Sequence, residues 1–598
     1  MDGWPRRWAC CWCGRSEKRG IWVTRDRIQK SQSSSETYSQ KQETRTTVAR
    51  REPMSFSAKG IVHRSTVTGR RGMIASAHPL ASLAGVRIMM EGGNAIDAVV
   101  AVAAALNVVE PYMSGLGGDG YMHIYSTREQ EHTVLDYMGR SPYGATFEEV
   151  GDAESRARGP RSPLVPGSCG GWLAALERYG TMDAATVFQP AIEYAEHGFP
   201  LTVKNAEFTE FNVPEMLKYP ATVEAYLPHG RAPIAGELMI QPDLAKSMRA
   251  IAEGGADVFY RGEIADKLVR YMEENGGLIT HRDLEDFAVE WQEPISVSYR
   301  GLRVYAPPPP CQAVQYLETL NIMEGFDVAE MGHNRAGTLH RFIEAAKLAQ
   351  ADRAEYTGLE DVPTAGLLSK EYAAQRRAEI GSQARPSGGE RYTSKKMEDE
   401  VLAGDPRRWM RTECTTHFSA IDAAGNAVAI TQSLGAGFGS AVVVPGTGIA
   451  LNNFLNWFDA DPQSPNVIGP GRKIEMCMSP AQVWDEQGLR FLIGTPGSYG
   501  ILQTTPQMIM NVIDHDLNIQ AAIEAPRVKS TSPGTQVDVE TRIGEDVLLA
   551  LTQMGHQLNR LGPWNAEVGG GQGIMVDPES GGFMGGADPR RDGYALGW

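Results

Sequence analysis

A chain of 598 residues, 42% hydrophobic and 22% charged, has the composition of an ordinary globular protein and is long enough to bury a large core. Its formal net charge of −16 argues against nucleic acid as a partner. No apolar run reaches the length of a membrane span, and seven cysteines are too few for a disulfide framework.

Residues 1–60 are polar and basic, with Ser31 to Ser35 at their centre, and read as a disordered leader, with Met54 available as an internal start. The leader has no apolar stretch of the secretory kind, so a cytoplasmic location is expected. Cys10, Cys11 and Cys13 crowd together. No partner pair follows at zinc-finger spacing, so no metal is assigned there. Ile74 to Glu110 holds two helical stretches. The second, Ala95 to Val109, is nearly all apolar and reads as buried on all sides. Leu173 to Leu348 reads as helices joined by short linkers, most clearly at Met182 to Gly198 and Leu339 to Tyr356. From about residue 375 to Cys414 the chain turns strongly polar, which marks a mobile linker. Beyond it strands and helices alternate to the end, as a layered α/β fold requires.

The chemistry concentrates where that linker stops. Phe418 to Ile421 and Ala427 to Thr431 read as two strands, with a turn at Asp422 to Asn426. The first is opened by Thr415-Thr416-His417. A threonine hydroxyl is a weak nucleophile without a base beside it. The threonine's own α-amine, titrating near ~8, can be that base once the preceding bond is cut. The bond concerned is Cys414–Thr415. Thr416 and His417 are weaker candidates on the same strand.

Several stretches occur in one order along the chain. They are Ala77-His78-Pro79, Gly92-Gly93-Asn94-Ala95, Val109-Glu110-Pro111, Gly115-Leu116-Gly117-Gly118-Asp119-Gly120 and Val165-Pro166-Gly167. Pro307-Pro308-Pro309, Leu451-Asn452-Asn453, Met478-Ser479-Pro480, Gly494-Thr495-Pro496-Gly497 and Ala587-Asp588-Pro589-Arg590 follow. In this the sequence resembles the γ-glutamyltransferases of the N-terminal-nucleophile hydrolase superfamily, from about Gly72 to Gly593. The resemblance implies an αββα four-layer sandwich made as a proenzyme. A large subunit (61–414) would be cut from a small one (415–598) before Thr415. It implies Thr415 as nucleophile, Ser433 as its supporting hydroxyl, and the backbone N–H groups of Gly497 and Ser498 as the oxyanion site. It implies no cofactor, a small-molecule amide substrate and, as an assembly, a dimer of heterodimers.

The departures lie where the charged end of a γ-glutamyl group would bind. Met138 takes the place of the family arginine, and Arg140 stands two residues on, where a strand would keep it on the same face. Phe454 and Trp457 replace the polar pair after Asn453 that holds the substrate ammonium. Met476 and Cys477 replace two serines, and Gly435 an asparagine. Arg140, Asn453, Phe454, Trp457 and Cys477 are therefore the expected substrate-binding residues. An unpaired buried ammonium costs several kcal/mol, so the catalytic parts look retained and the amino-acid recognition altered. Three functions stand: γ-glutamyl hydrolysis or transfer on glutathione-like substrates; the same chemistry on another acyl group, as in oxamate amidohydrolases and cephalosporin or glutaryl acylases; and an uncleaved, inactive binding protein.

Overall fold

The computed structural model describes residue 60 and residues 62–358, 361–387, 413–459, 461–531 and 534–598. All of them belong to one compact unit, Pro53–Trp598. The polar leader, and the part of the polar linker from 388 to 412, lie outside the described residues.

Two seven-stranded sheets face one another. In one, the strands run in the order Tyr594–Gly597, Gly72–Ser76, Glu413–Asp422, Ala427–Ala436, Asp119–Ser126, Glu131–Asp136 and Glu290–Gln292. The other is built from Val67–Gly69, Phe583–Ala587, Gln572–Val576, Gly488–Gly494, Ala481–Asp485, Leu302–Ala306 and Ile295–Tyr299. Met73, Ala75, Ile421, Leu492 and Ile574 pack between the sheets.

Helices cover both outer faces. On the first sheet lie α1 (Pro79–Met90) and α2 (Ala95–Val109), which share a core with Phe418, Ala420 and Ile430. On the second lie Val314–Glu324, Ala336–Tyr356 and Ile501–Ile513. The result is the αββα sandwich.

The helix starts are written in the sequence. His78 caps α1, its Nδ1 accepting from the Leu80 N–H at 3.2 Å, with Pro79 in the first turn. Asn94 and Asp97 form a reciprocal capping box on α2, every residue of which is buried. Asp97 also accepts from Thr181 and Met182, tying the helix start to the next layer.

Two expectations change. The stretch read as helices up to Leu348 also contains the strands Glu290–Gln292, Ile295–Tyr299 and Leu302–Ala306. Their signal was the alternation Ile295, Val297, Tyr299 against Ser296 and Ser298. The first residues of the expected linker are helical, because Ser369 caps a helix Lys370–Ala378 and Arg376 pairs with Asp352 at 2.8 Å.

Candidate active site

The strand Glu413–Asp422 carries Thr415 near its start. Its neighbour Gly72–Ser76 pairs only with Ser419 to Asp422, so the Thr415 end projects beyond that strand. On the other side Thr415 lies opposite Ser433, while Cys414 lies opposite Gly435. Leu434 is thus an extra residue, and the register breaks at the Cys414–Thr415 bond itself. Bulges of this kind re-aim side chains. The backbone of Leu434 leaves the ladder, donating to Met113 O at 2.9 Å and accepting from Asn453 N at 3.0 Å. Gly435 follows with φ +99°, a conformation that glycine adopts freely.

Thr415 and Ser433 are both buried. The Thr415 hydroxyl donates to Ser433 Oγ at 3.4 Å, and Ser433 Oγ accepts from Gly435 N at 2.7 Å. The bulge therefore fixes the hydroxyl that faces the candidate nucleophile. The glycine-rich loop supports it from below. A Cβ on Gly118 would meet the Ser433 carbonyl oxygen at 2.4 Å, and one on Gly117 would meet the Ala450 carbonyl oxygen at 2.1 Å.

Gly497 and Ser498 lie at the start of a short turn, Ser498–Gly500, which packs against the Thr415 strand. Gly497 has φ +127° and Ser498 φ +54°. A serine in that region is strained by about 1–3 kcal/mol, and such strain gathers at functional positions. Among the described residues neither N–H donates a hydrogen bond. The loop is held open by Thr495, whose Oγ1 accepts from Gly570 N at 3.0 Å and donates to Pro496 O at 2.8 Å. Two free, adjacent N–H groups beside a hydroxyl are what an oxyanion needs.

The expected substrate-binding residues divide. Met138, Phe454, Met476 and Cys477 are buried together in one apolar cluster, with Trp457 packed on its margin. Phe454 and Trp457 meet edge to face at 5.5 Å. Trp457 also reaches the site, because a Cβ on Gly435 would come 3.2 Å from its ring. Asn453 uses its amide on the backbone: Oδ1 accepts from Ala436 N at 2.8 Å and Nδ2 donates to Ala157 O at 2.8 Å. It shapes the strand just past the bulge.

For Arg140 the strand argument does not hold. The strand Glu131–Asp136 ends before it, so the rule that alternate residues share a face does not extend to Arg140. Its side chain is 54% exposed, and its guanidinium pairs with Glu290 at 3.1 Å and Gly471 O at 3.3 Å. The less exposed cation of this corner is Lys473, 2.6 Å from Asp136 and 2.7 Å from Glu290. Both positive groups are thus already neutralised by the protein.

His417 lies between the sheets. It meets Thr431 Oγ1 at 2.9 Å and Ser419 Oγ at 3.2 Å, and its ring packs on Gly494. Burial pushes its pKa down to about 3, so it stays neutral at working pH. Elsewhere His340, Glu344 and His556 bring three ligand-type groups together. Lys347 already sits 2.8 Å from Glu344 and supplies a positive charge there.

Two residues near Thr415 escaped sequence reasoning. Arg591 Nη1 donates to the Thr415 carbonyl at 3.3 Å, and Glu110 lies buried within reach of its charge. A carboxylate ending a nearly all-apolar helix was the readable signal for Glu110. Nothing in the sequence joined it to a residue at the far end of the chain.

The γ-glutamyltranspeptidase family model matches residues 81–598. The chain belongs to the γ-glutamyltranspeptidase family. The acylase ACY 1 proenzyme of Pseudomonas sp. (strain SE83) is 36% identical, over 90% of this chain and 96% of its own. The glutathione hydrolase proenzyme of Escherichia coli (strain K12) is 35% identical, over 90% and 93%. The crystal structure of cephalosporin acylase from Bacillus halodurans superposes with a TM-score of 0.81 at 35% identity, over 92% of this chain and 99% of that one. As a γ-glutamyltranspeptidase-type protein the chain is an amide hydrolase or acyltransferase, made as a proenzyme that is cleaved into subunits and acting on a small molecule. No helix among the described residues is long and apolar enough to cross a membrane.

Proposed function

We propose that Thr415 cuts its own chain and then serves as an N-terminal nucleophile on amides whose acyl group lacks the α-amino-acid head. The observation that carries the chemistry is the bulge opposite Cys414–Thr415, which sets the Thr415 hydroxyl against Ser433 at 3.4 Å. In the first step Thr415 Oγ attacks the Cys414 carbonyl carbon. The C–N bond breaks, the α-amine takes up a proton, and the resulting ester is split by water. In the second the neutral amine accepts the hydroxyl proton as Oγ attacks the substrate carbonyl. The N–H groups of Gly497 and Ser498 stabilise the oxyanion, each at a value of roughly a hundredfold in rate or more. As the intermediate collapses the substrate C–N bond breaks, the departing amine takes the proton from the α-ammonium, and an ester is left on Thr415, from which water or another amine releases the acyl group.

The acyl preference rests on Met138, Phe454, Met476 and Cys477, uncharged residues of one large buried core that stand at the positions where the resemblance expects polar or charged ligands. An ammonium pressed against such a surface loses hydration worth several kcal/mol and gains no carboxylate. The acylases among its relatives fit this reading. A second reading, γ-glutamyl hydrolysis, is favoured by the glutathione hydrolase relative at similar identity. The test is kcat/KM on γ-glutamyl, glutaryl and hexanoyl p-nitroanilides. Removing the amine should cost nothing, and the uncharged hexanoyl compound should be turned over at least as well as the γ-glutamyl one. A preference of about a hundredfold for the amine, worth roughly 2.7 kcal/mol, would establish the second reading instead.

A further inference from the structure

Behind the Thr415 strand, on the face turned away from the second sheet, three buried polar atoms make no close hydrogen bond, Glu110 Oε2, Thr416 Oγ1 and Arg591 Nε, and the first two are near enough for the Thr416 hydroxyl to act on the Glu110 carboxyl. Buried polar atoms left without a good partner are costly, and their gathering at one place asks for a reason. Glu110 is the C-terminal cap of α2 and is 2% exposed, and Thr416 is fully buried. Arg591 is fixed along its length. Its stem packs against Gly570, where a Cβ would meet Cδ at 2.8 Å, and its guanidinium lies 5.7 Å from the Phe208 ring centroid. One nitrogen, Nη1, donates both to Met113 Sδ and to the Thr415 carbonyl, each at 3.3 Å. The positive head therefore grips the peptide that follows the candidate nucleophile, and the Glu110 carboxyl lies close enough to feel its charge.

We propose that Glu110 and Arg591 are a positioning pair for the amide-hydrolysis site, holding the Thr415–Thr416 peptide and so aiming the Thr415 hydroxyl and, after cleavage, its amine. This rests on Thr415 being the nucleophile. The peptide plane after Thr415 sets the direction of every bond at its Cα. A rotation there moves the hydroxyl away from Ser433, and misplacements of about 1 Å cost on the order of a hundredfold in rate. Neither residue touches the reacting atoms.

The electrostatics give the pair a pH signature. Burial pushes the Glu110 carboxyl up to about 8, against the pull of Arg591 and of the Thr416 hydroxyl, and Asp592 raises it further. The other titratable group beside it is the Tyr112 phenol, whose own pKa is raised by burial and by Glu110. As pH rises through about 8, Glu110 gains the charge that completes its pairing with Arg591.

The test uses the full chain with Arg591→Ala, Arg591→Lys, Glu110→Gln and Thr415→Ala. Self-cleavage needs no added substrate, so its half-time is the first readout. Arg591→Ala should lengthen it by about tenfold or more. Added guanidinium ion should recover part of the rate, which a merely structural role would not allow. In the cleaved enzyme, with glutaryl p-nitroanilide, the loss should fall on kcat and leave KM within about twofold, because the pair aims the nucleophile rather than binding substrate. Arg591→Lys, which keeps the charge and loses the fork, should fall between wild type and Arg591→Ala. The wild-type to Glu110→Gln ratio of rates should rise by about fivefold between pH 6.5 and pH 9, since glutamine cannot acquire the charge. Cleavage within twofold of wild type in Arg591→Ala, or a pH-independent ratio for Glu110→Gln, would overturn the pair. If Arg591→Ala does not fold, the Lys and Gln variants decide alone. Splitting of Thr415→Ala at the same bond would instead sink the nucleophile assignment, and so separates the two failures.

Discussion

Gly118 and the Ser433 carbonyl are in such close contact that a methyl group on Gly118 would stand 2.4 Å from the oxygen. The glycine-rich loop is thereby the floor under the residue that faces Thr415, and its lack of side chains is a packing requirement. Gly118→Ala must push the Ser433 strand away, at a cost of about 1–3 kcal/mol. We expect a lower melting temperature together with slower self-cleavage. Unchanged melting and cleavage in this variant would show that the strand gives way without consequence.

Ser433 itself contributes one hydroxyl. Ser433→Ala removes the acceptor of the Thr415 hydroxyl and also the acceptor of Gly435 N. A net hydrogen bond of about 1 kcal/mol translates to a rate loss of roughly fivefold, for cleavage and turnover alike. Ser433→Thr keeps the hydroxyl and should recover most of it. Equal rates in the alanine and threonine variants would remove the hydroxyl from the mechanism.

Arg140, half exposed and paired with Glu290, is an ordinary surface ion pair worth about 0–1 kcal/mol. Steady-state kinetics of Arg140→Met should show KM for glutaryl p-nitroanilide within about twofold of wild type. A large rise in KM in a properly cleaved variant would return this arginine to the substrate.

His417 makes stability fall in acid. Its pKa is lowered from 6.5 to about 3 by burial, so the unfolded chain takes up a proton first. The stability it contributes is full above pH 6.5 and is lost as the pH falls from there toward 3. One such proton tilts the unfolding free energy by about 1.4 kcal/mol per pH unit. Chemical denaturation at several pH values should show a shallower acid slope for His417→Gln by that amount. An identical slope would mean that His417 charges in the folded protein.

Much of this was legible in the sequence, because local chemistry wrote it there. The nearly all-apolar run from Ala95 to Val109 read as a buried helix, and the capping box of Asn94 and Asp97 marked its start. Gly425 and Asn426 announced the turn between the two central strands. The bulge at Leu434 was not legible, since a register break depends on what the partner strand and Met113 do. Arg140 misled for a related reason: nothing local told where the strand Glu131–Asp136 would stop. The Glu110 and Arg591 pair was hidden because the two meet only through the fold.

The central claim is that Thr415 becomes an N-terminus. Intact mass and N-terminal sequencing of the purified chain test it most directly. Two fragments are expected, the smaller beginning Thr-Thr-His-Phe, and Thr415→Ala should run as a single uncut chain. A wild-type chain that stays whole, or a Thr415→Ala chain that still splits before residue 415, would contradict it.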